Sequence, residues 1–276
     1  MRDLVFGIEG LALLRTLFED DPAGADARMS EIRRFAPDLD GEALALGIAI
    51  PERSVDDGYA EWHATYDVMP NGLIEVEQPC VEAILDHLPA GRALDASCGT
   101  GRITALLVAR GHEATGVDGS GAMLDVARAK VPDATFQSAD LARLPFDDGE
   151  FDLVTCALAI AHWPAIEPFI SELARVTKPG GRLLLTDIHP FAIVLAGQAL
   201  FMNGDGQFAF VRNYFHPHGE YIAAFGAAGL SVLRCLEPAQ NAATVATFPS
   251  FGLAPEATRQ AMEGLPLALV WELERT

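Results

Sequence analysis

From residue 92 to residue 188 the chain alternates short apolar runs with amphipathic stretches, and this pattern constrains its fold more than any other feature. The apolar runs fall near 92–97, 113–118, 134–139, 151–157 and 181–188, each of strand length. Between them, 101–110, 120–130 and 166–177 carry apolar residues at helical spacing. Ile166, Phe169, Ile170, Leu173 and Ala174 form the clearest stripe, and Lys178-Pro179-Gly180-Gly181 terminates it. Strands that are apolar throughout are buried on both faces, so the pattern predicts a parallel sheet with helices on each side. A helix near 219–228, a strand at 230–236 and a strand at Leu267–Leu273 follow.

Residues 1–90 read as helices. Leu4, Ile8, Leu11 and Phe18 share a face, and Asp20-Asp21-Pro22 stops that helix. Met29, Ile32 and Phe35 mark a second, ended by Ala36-Pro37. Tyr59, Trp62 and Tyr66 share another face, Pro79 is placed to start a further helix, and Pro89-Ala90-Gly91 marks a boundary. Two parts are therefore expected, a helical extension or lid over 1–90 and a main domain over 91–276 with an insertion at 189–218. The insertion holds Asn203-Gly204-Asp205-Gly206, a hairpin-turn signal.

Composition excludes several partners. With 19 Lys and Arg against 39 Asp and Glu, the formal net charge is -20, which repels phosphate backbones and anionic membrane surfaces. A neutral or cationic small molecule fits better. Cys80, Cys98, Cys156 and Cys235 have neither C-x-x-C spacing nor a disulfide framework, as expected of free thiols in the cytoplasm. Glu9 and Arg15 interrupt the apolar run from Leu4 to Phe18, which is a poor signal-peptide core and too short to span a membrane. No metal-ligand spacing stands out, and the apolar first helix is a candidate for exchange between subunits of a homo-oligomer.

The chemistry concentrates at Ala93-Leu94-Asp95-Ala96-Ser97-Cys98-Gly99-Thr100-Gly101-Arg102, a strand running into a small-residue turn and then a helix. Gly99 and Gly101 let backbone approach a ligand. A dinucleotide would place pyrophosphate here, but Asp95 repels it, and Thr104 stands where the third glycine of that fingerprint belongs. S-adenosylmethionine instead brings an ammonium and a sulfonium, which a carboxylate favours. Asp118, 23 residues beyond Asp95 at the end of the second strand, can accept both ribose hydroxyls of a nucleoside. Helix capping is the alternative for Asp118, a role open to Ser120.

The stretch resembles motif I of the class I S-adenosylmethionine-dependent methyltransferases, D-x-G-C-G-T-G, with Ser97 where the first glycine is usual. Gln137-Ser138-Ala139-Asp140-Leu141, Leu144-Pro145-Phe146, Phe151-Asp152-Leu153-Val154 and Glu172-Leu173-Ala174-Arg175-Val176 extend the resemblance over about residues 92–188. It implies a Rossmann-like, doubly wound, mostly parallel sheet of seven strands. It further implies that Asp140 accepts the adenine amino group, that the backbone of Leu141 meets the ring, and that Met123 presses against it. Tyr66-Asp67 resembles the family's lid motif. The implied cofactor set is Tyr66, Asp95, Ser97, Cys98, Gly99, Gly101, Asp118, Gly119, Ser120, Met123, Asp140 and Leu141.

Methyl transfer needs a base only if the acceptor loses a proton during attack. His162 after the fourth strand, His189 after the fifth and His216 in Phe215-His216-Pro217-His218 stand where a ligand-facing base is expected. Phe191, Ile193, Leu195, Leu200, Phe201, Phe208 and Phe210 make the insertion apolar, enough to roof a hydrophobic acceptor cavity together with the N-terminal helices, to pack against the sheet as ordinary core, or to meet another subunit. The expected function is methyl transfer from S-adenosylmethionine to a small hydrophobic acceptor, similar to ubiquinone/menaquinone-type and natural-product methyltransferases. The alternative is an S-adenosylmethionine-binding protein that catalyses a rearrangement or serves as a binding partner.

Overall fold

The computed structural model describes residues 2–19, 21–36 and 50–276. In chain order the first elements are α1 (Arg2–Arg15), α2 (Pro22–Phe35), β1 (Glu52–Arg53), α3 (Val55–Trp62) and α4 (Gly72–Leu85). Then come β2 (Arg92–Ala96), α5 (Arg102–Ala109), β3 (Glu113–Asp118), α6 (Gly121–Lys130), β4 (Thr135–Ser138), β5 (Phe151–Ala157) and α7 (Glu167–Val176). The chain continues through β6 (Thr177–Ile188), α8 (Pro190–Val194), β7 (Ala199–Met202), β8 (Phe208–Val211), α9 (His218–Ala227) and β9 (Leu230–Leu236). It closes with α10 (Ala242–Val245), α11 (Pro255–Met262) and β10 (Ala268–Arg275).

Two compact units divide these elements. The smaller comprises Met1–Ala49, Pro70–Glu75 and Ala239–Leu265. There the Arg15 guanidinium donates to the carbonyls of Ala261 and Glu263 at the end of α11, where a helix leaves its last carbonyls unpaired. α1 stops at Arg15, earlier than expected, leaving Phe18 exposed, and Asp21 caps α2 by accepting from the Gly24 N–H. Asp20 and Pro37, read as part of helix stops, lie outside the described residues.

The larger unit comprises Ile50–Met69, Val76–Pro238 and Pro266–Thr276. Its main sheet has seven strands in the order β4-β3-β2-β5-β6-β10-β9, with β10 antiparallel to both neighbours and the first five parallel. Strand periodicity sends alternate residues to opposite faces. Leu94, Leu183, Leu185, Leu269 and Trp271 pack on one side with Phe169, Ile170 and Leu173 of α7. Ala93, Leu184 and Val270 pack on the other with Val81, Ile84 and Leu107. Strand order reverses between β2 and β5, and open parallel sheets bind ligands at the carboxyl ends beside that point.

Three differences from the sequence reading have physical causes. α4 begins at Gly72, where the Asn71 side chain accepts from the Leu73 N–H, so Pro79 sits inside the helix instead of starting it. β6 begins at Thr177 and takes in Lys178-Pro179-Gly180-Gly181 through a register irregularity against β5. β1, two residues long, pairs in parallel with β8, which pairs in turn with β7, making a second sheet. Two residues carry no periodicity, and that pairing is set by a partner far along the chain. The hairpin turn between β7 and β8 lies at Asn203, whose side chain accepts from the N–H groups of Asp205 and Gln207.

Candidate active site

A cleft of about 640 Å³ lies at the carboxyl ends of β2, β3, β4 and β5. Its floor is the turn after β2. Ser97 (φ 57°), Gly99 (φ 53°) and Gly101 (φ 81°) all adopt left-handed backbone there, which explains why glycine is usual at the first position and shows Ser97 bearing some strain. A Cβ on Gly99 would meet nothing within 4 Å, so that edge of the turn is open. A Cβ on Gly101 would lie 3.2 Å from the Ala127 Cβ, so this glycine serves the packing of α6. Leu158, after β5, is likewise left-handed (φ 56°) and also lines the cleft. Strained backbone recurs at ligand sites because the surrounding fold must hold it.

Asp118 organises the turn. Its Oδ2 accepts from the Gly99 N–H and its Oδ1 from the Ser120 N–H, each at 2.8 Å. Burial raises its pKa despite these bonds. Ser120 is the cap of α6, accepting from the Met123 N–H. Asp140, after β4, accepts from the Ala142 N–H and lines the cleft beside Leu141.

Asp95 differs from the sequence expectation in its surroundings. It is fully buried, with Oδ2 accepting from the Thr104 hydroxyl at 2.6 Å and Oδ1 from the Thr155 hydroxyl at 2.9 Å. Burial pushes its carboxyl up to about 6. With both oxygens engaged, it acts on the cleft mainly through its field, which a low-dielectric surrounding strengthens.

Of the residues expected to hold cofactor, Tyr66, Asp95, Ser97, Cys98, Gly99, Asp118, Gly119, Ser120, Asp140 and Leu141 line the cleft. Gly101 and Met123 do not; Met123 is fully buried on the core-facing side of α6. His162 is the one expected catalytic histidine that reaches the cleft. Its Nδ1 lies 2.9 Å from the Arg212 carbonyl and its Nε2 2.8 Å from the Tyr59 hydroxyl.

His189 and His216 are engaged elsewhere, which corrects their reading as cleft bases. His189 Nδ1 accepts from the Phe191 N–H as the cap of α8, so Nε2 carries the proton and donates to Glu237 at 2.9 Å. His218 also meets Glu237 at 2.9 Å, and the His189 hydrogen bond holds that carboxyl below its usual range. These three bring potential metal-ligand atoms within 4.8 Å of one another, but a His189 Nε2 that carries the proton presents no lone pair there. His216 meets the Trp163 carbonyl with Nε2 and Glu220 with Nδ1.

The insertion does not roof the cleft. None of its expected apolar residues lines the cavity, and Phe201 instead packs with Ala209, Val211, Val55 and Trp62 in a separate small core. From the segment before the main sheet, Val55, Asp56, Tyr59 and Tyr66 line the cleft. Asp67 ties this segment down, accepting from Thr100 Oγ1 at 2.9 Å and from Lys130 Nζ at 2.5 Å.

Arg102 is a cleft residue that the sequence reading passed over. Its guanidinium forms a 2.8 Å ion pair with Glu77, which is fully buried and accepts from the Thr186 hydroxyl through its other oxygen. The signal was its place directly after Gly101; the partner, 25 residues upstream, follows from no local pattern.

Residues 94–185 match the family described as Methyltransferase domain. Over 132 residues, 48% of this chain and 55% of the relative, the sequence is 33% identical to a demethylmenaquinone methyltransferase of Beutenbergia cavernae. Over 121 residues, 43% of this chain and 46% of the relative, it is 37% identical to a malonyl-[acyl-carrier protein] O-methyltransferase of Erwinia pyrifoliae. The chain thus spans about half the length of these relatives. Among solved structures, an S-adenosylmethionine-dependent methyltransferase of Mesorhizobium loti superposes with TM-score 0.55 at 22% identity, covering 72% of this chain and 98% of that one. A geranyl diphosphate C-methyltransferase of Streptomyces coelicolor, solved with S-adenosyl-L-homocysteine, gives TM-score 0.56 at 16% identity over 73% and 81%. Sheet order, glycine turn and sequence match agree: residues 94–185 of this chain match the Methyltransferase domain family, and the seven-stranded sheet has the fold of these S-adenosylmethionine-dependent methyltransferase structures.

Proposed function

We propose that this chain transfers the methyl group of S-adenosylmethionine to a small-molecule acceptor. The observation that carries this is the convergence of Asp95, Asp118 and Asp140, from the ends of three neighbouring parallel strands, on one cleft floored by a glycine turn. The residues fit the group. Gly99 leaves backbone open, Asp118 keeps free lone pairs for ribose hydroxyls, Asp140 suits an amino donor, and the acids together favour a cationic sulfur compound. Arg102 offers a guanidinium to a carboxylate. Bound there, the cofactor supplies a methyl carbon activated by positive sulfur. The protein then has to orient the acceptor behind that carbon and exclude water.

Within residues 1–90 we assign the lid role to Val55–Met69, held down by the contacts of Asp67. Tyr59, Tyr66, Trp163 and Leu158 give the cleft an apolar and aromatic wall, which suits an acceptor with a hydrophobic body. Incubating the chain and isotopically labelled S-adenosylmethionine with cell extract should yield S-adenosylhomocysteine and one labelled small molecule. Cofactor binding without any labelled product would defeat the proposal and leave a binding or rearrangement role.

The raised Asp95 carboxyl gives a pH test. A cation binds the ionised form preferentially, so affinity should rise as pH rises through about 6, the value in the free protein. Calorimetric affinity should strengthen by roughly tenfold between about pH 5 and about pH 7. A flat profile would show that Asp95 does not sense the ligand.

A further inference from the structure

We propose that Tyr59 and His162 form a proton relay that ionises the methyl acceptor, and that this acceptor carries a weakly acidic hydroxyl of the phenol or enol class. The inference rests on the methyltransferase reading of the cleft and adds the acceptor's chemistry to it. It begins with a tautomer. The Arg212 carbonyl can only accept, so His162 Nδ1 carries the ring proton and Nε2 presents a lone pair. The Tyr59 hydroxyl must therefore donate to Nε2, at 2.8 Å. Among the described residues this is the one hydrogen bond of that hydroxyl, so its oxygen retains lone pairs, and both side chains line the cleft.

Burial sets the resting state. It lowers the His162 pKa, leaving the imidazole neutral near pH 7, and raises that of Tyr59 well above its usual range. Tyr66, Asp118 and Asp187 also oppose a phenolate at Tyr59. Tyr59 thus keeps a proton at rest and passes one on. As the acceptor attacks, its O–H proton moves to the Tyr59 oxygen while the Tyr59 proton moves to His162 Nε2, giving an imidazolium anchored at Arg212. The electron pair left on the acceptor oxygen forms the bond to the methyl carbon, and the carbon–sulfur pair leaves with sulfur as a neutral thioether.

This arrangement selects among acceptors. A neutral amine attacks with its own lone pair and needs no relay. An alkyl alcohol is too weak an acid for a buried neutral imidazole, whereas a phenol, with the ordinary tyrosine value of about 10 as a guide, is a far stronger acid.

The probe is para-nitrophenol added to the full chain saturated with S-adenosylhomocysteine, at a pH where the free compound is mostly the colourless phenol. Uptake should generate phenolate absorbance. Tyr59→Phe and His162→Gln should each lower it by at least about tenfold at equal occupancy. The glutamine oxygen can still accept from Tyr59 but cannot take the proton, so a merely structural pair would leave the His162→Gln signal intact. Saturation with S-adenosylhomocysteine is followed separately by calorimetry, so loss of the cofactor reading is distinguishable. Phenol that stays protonated when bound, no uptake by the native chain, or undiminished phenolate in either variant would overturn the relay.

Discussion

Asp118→Ala should weaken S-adenosylmethionine binding by at least about tenfold, which corresponds to about 1.4 kcal/mol. Two losses combine. On the proposed reading the charge-assisted acceptor for the ribose hydroxyls disappears, and the Gly99 and Ser120 N–H groups lose the carboxylate that now fixes the turn. Asp118→Asn separates them in part. The amide keeps size and one accepting oxygen but turns an NH2 toward a backbone N–H, so it should fall between the native chain and Asp118→Ala. Calorimetry on folded protein reads both. Native-like affinity in Asp118→Ala would remove this residue from the site.

Glu77→Ala should cost about 3 kcal/mol or more of folding stability, the range for breaking a buried ion pair on one side. Glu77 is fully buried on α4, accepts from Thr186 and pairs with Arg102. Deleting it strands a largely buried guanidinium and leaves the Thr186 hydroxyl without its acceptor. Glu77→Gln keeps the bond from Thr186 and should cost less. Denaturant unfolding of the two variants checks the order. Equal stability of Glu77→Ala and the native chain would show that the pair contributes nothing. Because Arg102 lines the cleft, the alanine variant should also bind cofactor more weakly at temperatures where it remains folded.

The main sheet was legible because its strands are apolar on both faces and its helices amphipathic; Leu183, Leu184 and Leu185 point alternately into the two cores. The cleft floor was legible because a turn of small residues, followed at fixed strand ends by Asp118 and Asp140, is a local pattern. Met123 was harder. The same helical position is either core or ligand-facing, and only packing of α6 decides. The histidines show the limit of position. His189 does follow a strand end at the sheet's carboxyl edge, but capping of α8 and the pull of Glu237 turn its ring away. Nothing local joins Tyr59 to His162, Glu77 to Arg102 or β1 to β8, since each pairing is made by folding across long sequence separations.

A crystal structure of the chain with S-adenosylhomocysteine tests the central claim most directly. The nucleoside should lie in the cleft with its ribose on Asp118, its adenine beside Asp140 and its amino-acid end between the glycine turn and Arg102. The compound bound elsewhere, or Asp118 and Asp140 turned away from it, would contradict the assignment.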